Sequence, residues 1–165
     1  MGLILPSCEL MPVIRAALAR GQRVRMTVTG SSMLPFLRDG DMVELEPAPA
    51  LRLGDMVLVR TDPPGGSERY VLHRIMRMVG GAFFIRGDAQ RHGEGPFIPD
   101  AVLGRVAAAW RNGRTRALGR GLWRLAGLVW ARTSPLGFFL IQLALPLWQL
   151  GRRAQRRLQR IWKQT

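Results

Sequence analysis

Between residues 22 and 110 the chain is a succession of short apolar runs, each cut off within a few residues by a turn. Val24, Met26 and Val28 alternate with Arg23, Arg25, Thr27 and Thr29, the period of a half-buried strand. Further runs lie at Met42–Glu46, Met56–Arg60, Tyr70–Val79, Ala82–Arg86 and Val102–Trp110. Asp39-Gly40-Asp41, Gly54-Asp55, Pro63-Pro64-Gly65-Gly66 and Gly80-Gly81 separate them, and the last, between two apolar runs, signals a hairpin. No βαβ rhythm and no internal repeat is present. The pattern predicts a mainly β domain, an antiparallel sheet or barrel-like sandwich, and about 90 residues suffice for a modest core.

Two different segments flank this domain. Residues 9–20 place Leu10, Val13, Ile14, Ala17 and Leu18 at helical spacing, and Gly21 is a natural stop, so residues 1–21 are expected to hold a short N-terminal helix. Residues 111–165 carry 12 basic residues and no acid, whereas residues 1–110 have a net charge of only +2. The organisation expected is therefore a helix over 1–21, a near-neutral β domain over 22–110, and a basic, apolar helical tail over 111–165. Within that tail, residues 133–150 have no charge; such a helix would reach about 27 Å, just short of the roughly 30 Å hydrocarbon layer. Gly121–Ala131 is apolar but holds Arg124, and a basic stretch with Leu158, Ile161 and Trp162 closes the chain. Two readings compete: a marginal transmembrane or re-entrant helix with a basic anchor, and amphipathic helices lying on a membrane or a partner. The Trp and Leu content favours lipid over nucleic acid, so membrane contact through residues 121–163 is expected and no nucleic acid is. Residues 1–8 are too short for a signal h-region, which favours a peripheral or re-entrant tail at the cytoplasmic face, with a full span as the alternative.

Composition excludes several chemistries. The single cysteine, Cys8, allows neither an internal disulfide nor a cysteine-cluster metal site, and two histidines, His73 and His92, are too few for a histidine-rich metal centre. The only lysine, Lys163, stands outside any Gly-Lys-Ser/Thr, which excludes a P-loop. No metal or cofactor is expected. What remains is side-chain chemistry. Gly30-Ser31-Ser32-Met33-Leu34-Pro35 follows the first strand, where a hydroxyl can be exposed beside free backbone N–H groups. His73 lies mid-strand in Tyr70-Val71-Leu72-His73-Arg74-Ile75 and on the period-2 count shares a face with Val71 and Ile75. Asp88 follows Gly87 at the end of the next run, and Glu94 stands six residues on, in a loop ending Pro96-Phe97-Ile98-Pro99. Taken singly, these are a plain turn, a core histidine, a turn aspartate and a solvated glutamate.

Their order is more specific. GSSMLPFLRDGDMVEL, LRLGDMVLV, YVLHRI, FIRGDAQ and IPDAVLGRV, spanning about Thr29 to Val106, resemble the signal-peptidase and LexA-type serine peptidase superfamily. The resemblance implies that Ser32, the serine before Met33, is the nucleophile. His73 stands where many members have a lysine base, as in the endoplasmic-reticulum, archaeal and sporulation-type signal peptidases that use Ser, His and Asp. Those enzymes carry Gly-Asp and a second acid six residues on, here Asp88 and Glu94; the glutamate departs from the pattern, and either carboxylate could orient His73.

The implied activity is serine-type endopeptidase cleavage of a signal- or leader-like peptide or preprotein. Ser32 would attack the carbonyl, His73 would shuttle the proton, and the Ser32 and Ser31 N–H groups would hold the oxyanion. Gly30 would allow close approach of the chain, and Met33, Leu34 and Pro35 would form the substrate floor. The apolar segment at the C-terminal end, where signal peptidases usually have an N-terminal helix, points to a dedicated substrate and to a partner subunit. Two alternatives remain. One is a LexA-like self-cleaving regulator, against which stand the missing lysine base and the absence of a helix-turn-helix before the first strand. The other is a non-enzymatic membrane- or partner-binding module on a peptidase fold.

Overall fold

The computed structural model describes residues 7–62, 68–119 and 122–133. Helix α1, Ser7–Ala19, is followed by strands β1 (Val24–Thr27), β2 (Met42–Glu46), β3 (Met56–Thr61), β4 (Arg69–Val79), β5 (Ala82–Arg86), β6 (Glu94–Phe97), β7 (Val102–Arg111) and β8 (Arg114–Arg116). A second helix, α2, covers 122–133. All eight strands form one sheet in the order β1-β2-β7-β3-β4-β5-β6, with β8 on β7, and every pairing is antiparallel. The expected mainly β antiparallel class with a short N-terminal and a C-terminal helix is the one observed. Bulges in the β2–β7, β3–β7, β4–β5 and β5–β6 ladders add local bend and twist, and the sheet curls.

Local chemistry explains the joints. Gly21 closes α1 at φ +79, with Gln22 N–H donating to the Ala17 carbonyl and Gly21 N–H to that of Leu18, the Schellman arrangement. Gly80 and Gly81 both have positive φ, as a two-residue hairpin turn requires. The structure adds two strands to those read from the sequence. Glu94 does not lie in a loop but opens β6, and the sheet runs past residue 110 through Arg111 to β8. The uncharged stretch beyond Thr133 and the basic stretch after it lie outside the described residues.

The sheet has apolar clusters on both faces. On one, Met11, Ile14 and Leu18 of α1 pack with Met33, Leu37, Val43, Leu45, Met56, Leu58, Val106 and Leu118. On the other, Val57, Val59, Val71, Ile75, Phe83 and Ile85 pack with Phe97 and Val102. Central strand β3 contributes Met56 and Leu58 to the first cluster and Val57 and Val59 to the second, which is why its sequence is a continuous apolar run. β4 lies beside it and presents alternate residues to the two faces.

Candidate active site

His73 reaches its place through register. It pairs with Val57 of β3 and lies between Val71 and Ile75 on the face of the second cluster. It is only 3% exposed. Its Nδ1 is buried with no hydrogen-bond partner. Burial holds the imidazole below its ordinary pKa, Glu94 draws it back up, and Arg69 presses it further down. Glu94 is on this face for the same reason: it pairs with Ile85, and Ile85 pairs with Ile75, two residues from His73. Glu94 is half-exposed and forms a loose ion pair, 4.0 Å, with Arg69.

Asp88 is placed differently. It is 1% exposed, and both its oxygens accept hydrogen bonds from Arg74, from Nε and Nη2, each at 2.7 Å. Arg74 follows His73 in β4 and so points to the opposite face. The geometry therefore groups Glu94 with His73, and Asp88 with Arg74. Burial pushes the Asp88 carboxyl above the ordinary range, opposed by the Arg74 and Arg86 guanidinium groups. His92 is exposed in the connection before β6.

The Gly30–Pro35 turn is docked against the end of β5. Gly30, at φ +90, donates its N–H to Asp39 Oδ1 at 2.9 Å. Leu34 N–H donates to the Ser31 carbonyl and Leu37 N–H to that of Met33, which winds the turn. Buried Met33 roots it in the first cluster, while Ser31 and Pro35 are exposed and Ser32 is half-buried. The Ser32 carbonyl accepts from Ala89 N–H at 2.8 Å. A Cβ on Gly87 would sit 2.7 Å from that same carbonyl, so glycine there permits the contact. Gly87 lies one residue past Arg86, the ladder partner of Arg74, at the level of His73. Ser32 is thus held by its backbone against the Gly87–Ala89 loop that follows β5. No described residue accepts a hydrogen bond from the Ser32 N–H.

Sequence reasoning missed the residues that bind these pieces together. Arg74 Nη1 donates to the Gly54 carbonyl at 2.8 Å, and the guanidinium lies 4.6 Å over the Phe36 ring. Trp130 of α2 donates Nε1–H to the Asp88 carbonyl at 3.3 Å and meets Phe36 edge-on. The available signal was His73-Arg74, two adjacent polar residues in an apolar run; in a strand buried on both faces, each needs a partner. A pocket lined by Arg15, Leu18, Pro47, Arg60 and Asp100 lies beside α1 and includes none of Ser32, His73, Asp88 and Glu94. Among the described residues no group of three His, Cys, Asp or Glu side chains could hold a metal ion.

A curled antiparallel sheet with a short N-terminal helix and a C-terminal helix is the architecture of a peptidase S24-like β fold. The family model for Peptidase S24-like proteins matches residues 9–106, from α1 to β7, and the chain belongs to that family, within the S24/S26, LexA-like superfamily. No curated protein and no solved structure shows significant similarity to the chain.

Proposed function

We propose that the protein is a serine endopeptidase of signal-peptidase-like type, acting on a leader- or signal-like segment, with Ser32 as nucleophile, His73 as base and Glu94 as the orienting carboxylate. The observation that carries this reading is the split across β4: His73 has a buried Nδ1 without a partner and shares its face with Glu94, while Asp88 is taken up by Arg74. Ser32 Oγ attacks the scissile carbonyl and His73 takes its proton. The Ser32 N–H, together with that of Ser31, receives the oxyanion. The intermediate collapses as His73 returns the proton to the leaving amine, and water, activated by the same imidazole, releases the acyl group. Glu94, swung from Arg69 towards Nδ1, would fix the tautomer and steady the imidazolium. Asp88 then has a structural part, holding the loop on which the Ser32 turn rests.

The site's surroundings support a membrane-surface setting. On α2, Leu122 is 83% exposed, and Leu125 and Val129 are more than half exposed. Residues 111–165 contain no acid that would repel an anionic bilayer. No helix among the described residues is long and apolar enough to cross a membrane.

The test is incubation of the purified full chain in mild detergent with leader-like peptides bearing small residues, with new termini read by mass spectrometry. Wild type should cleave, and Ser32→Ala and His73→Ala should not while keeping their circular dichroism. Equal cleavage by all three, or none by any, removes the reading. Cleavage confined to the chain itself moves it to a self-cleaving regulator.

A further inference from the structure

Helix α2 touches the buried side of the site at four points. Trp130 bonds the Asp88 carbonyl. The Trp130 ring meets Phe36, with centroids 5.8 Å apart at 74°. Gly127 lies so close to Arg74 that a Cβ there would overlap Nη1. A Cβ on Gly54 would sit 2.9 Å from Leu128 Cδ2. The segments contacted are the ones that place the proposed chemistry. Phe36 belongs to the same turn as Ser32, Asp88 to the loop whose Ala89 N–H holds the Ser32 carbonyl, and Gly54 to the turn before β3.

Arg74 is the hub of this arrangement. It is 2% exposed, and three of its N–H groups are engaged by Asp88 and Gly54. One face of its guanidinium lies over Phe36. A guanidinium is planar and its fork is rigid. Fixing it from the Gly127 side therefore fixes the directions of Asp88 and Phe36 together. A larger residue at 127 would press on Nη1, the atom that holds the Gly54 carbonyl, and because the guanidinium is rigid any shift of Nη1 also moves the Nε and Nη2 bonds to Asp88.

We propose that α2 is a positioning strut for the site: through Gly127 on Arg74 and Trp130 on the Asp88 loop, it sets where the Ser32 turn sits. Gly127 and Trp130 touch no reacting atom and are positioning residues. The inference rests on the peptidase reading of Ser32, but its structural half can be read without any turnover.

The experiment uses the full-length chain in detergent, as wild type and as Gly127→Ala, Trp130→Ala and Trp130→Phe. Two quantities are measured: hydrogen exchange at the Ala89 amide, and the rate at which a fluorophosphonate labels Ser32. In Gly127→Ala and Trp130→Ala, Ala89 exchange should rise at least about tenfold while the β3 amides stay protected, and labelling should slow by about ten- to a hundredfold. Trp130→Phe keeps the ring against Phe36 and loses only the Nε1–H bond, so it should recover most of both. Where peptide turnover is measurable, kcat should fall with KM unchanged. Unchanged Ala89 exchange overturns the proposal, and so does faster exchange with unchanged labelling. Should wild-type Ser32 take up no probe, the peptidase reading falls, and the exchange result alone decides whether the strut exists.

Discussion

His73 and Arg74 are consecutive residues of one strand, and they meet opposite conditions. Arg74 points to the face where Asp88 takes two of its N–H groups, the Gly54 carbonyl a third, and Phe36 covers its plane. His73 points to the other face, equally hidden from water, with a buried nitrogen that nothing satisfies. A buried polar atom without a partner costs about 1–3 kcal/mol. The saturated face holds the fold together, whereas the unsatisfied face carries a cost that stability alone does not explain. A half-exposed carboxylate nearby, loosely held by Arg69, is what such a histidine would use in turnover.

The sharpest way to break this contrast is to neutralise each carboxylate in turn. Glu94→Gln should lower kcat/KM roughly thousandfold or more, by analogy with loss of the orienting carboxylate in a serine triad. Its melting temperature should barely move, since Glu94 is half-exposed and loosely paired. Asp88→Ala should do the reverse and destabilise the fold by about 3–5 kcal/mol in denaturant titration, because it strands a buried guanidinium. If Asp88→Ala left stability intact and abolished turnover, the assignment of the two faces would be inverted. Gly87→Ala presses a methyl on the Ser32 carbonyl; a loss of about 1–3 kcal/mol with slowed Ser32 labelling is expected.

The smallest effects lie in the pH profile. In the proposed mechanism His73 is a base only when neutral, and burial lowers its pKa, so the acid limb of kcat/KM should fall below the ordinary imidazole value of about 6.5. Arg69→Gln removes a like charge and should move that limb up; Glu94→Gln removes an attractive one and should move its residual limb down. Folding stability follows the same sign. The unfolded chain binds the proton more readily, so the contribution of His73 is complete above about pH 6.5 and is lost as pH falls through the lower folded value. Urea titrations at stepped pH would show it, and His73→Gln should flatten it.

Much of this was legible in the alternation of residues. β1 to β5 and β7 stand where apolar period and turn residues placed them, because each carries a core-facing stripe and a glycine-bearing joint. β6 was not legible: Gly93, Gly95 and Pro96 are turn residues, and it joins the sheet as an edge, through Phe83–Phe97 and Ile85–Glu94. Three-residue β8 is too short and too basic to show a period. At the site, the sequence brought Ser32, His73, Asp88 and Glu94 into view but could not divide the carboxylates. That division depends on which face a ladder partner shares, and a bulge between Phe83 and Ile85 shifts the count along β5. The link from Trp130 to Asp88 spans 42 positions and has no local signature.

One feature of the sheet order also governs assembly. β7 lies between β2 and β3, so the β1–β2 pair and the β3-to-β6 meander have no ladder between them until β7 enters. Ser32 lies in the connection within the first unit, between β1 and β2, and His73 belongs to the second. Pairing of Glu46 with Arg105, and of Val57 with the same Arg105, needs a stretch of chain made after β1 to β6. Such late, non-local pairing is slow to form. During synthesis Ser32 and His73 therefore belong to units that share no ladder until β7, residues 102–111, has been made, so a site that needs both is completed only after some hundred residues have emerged.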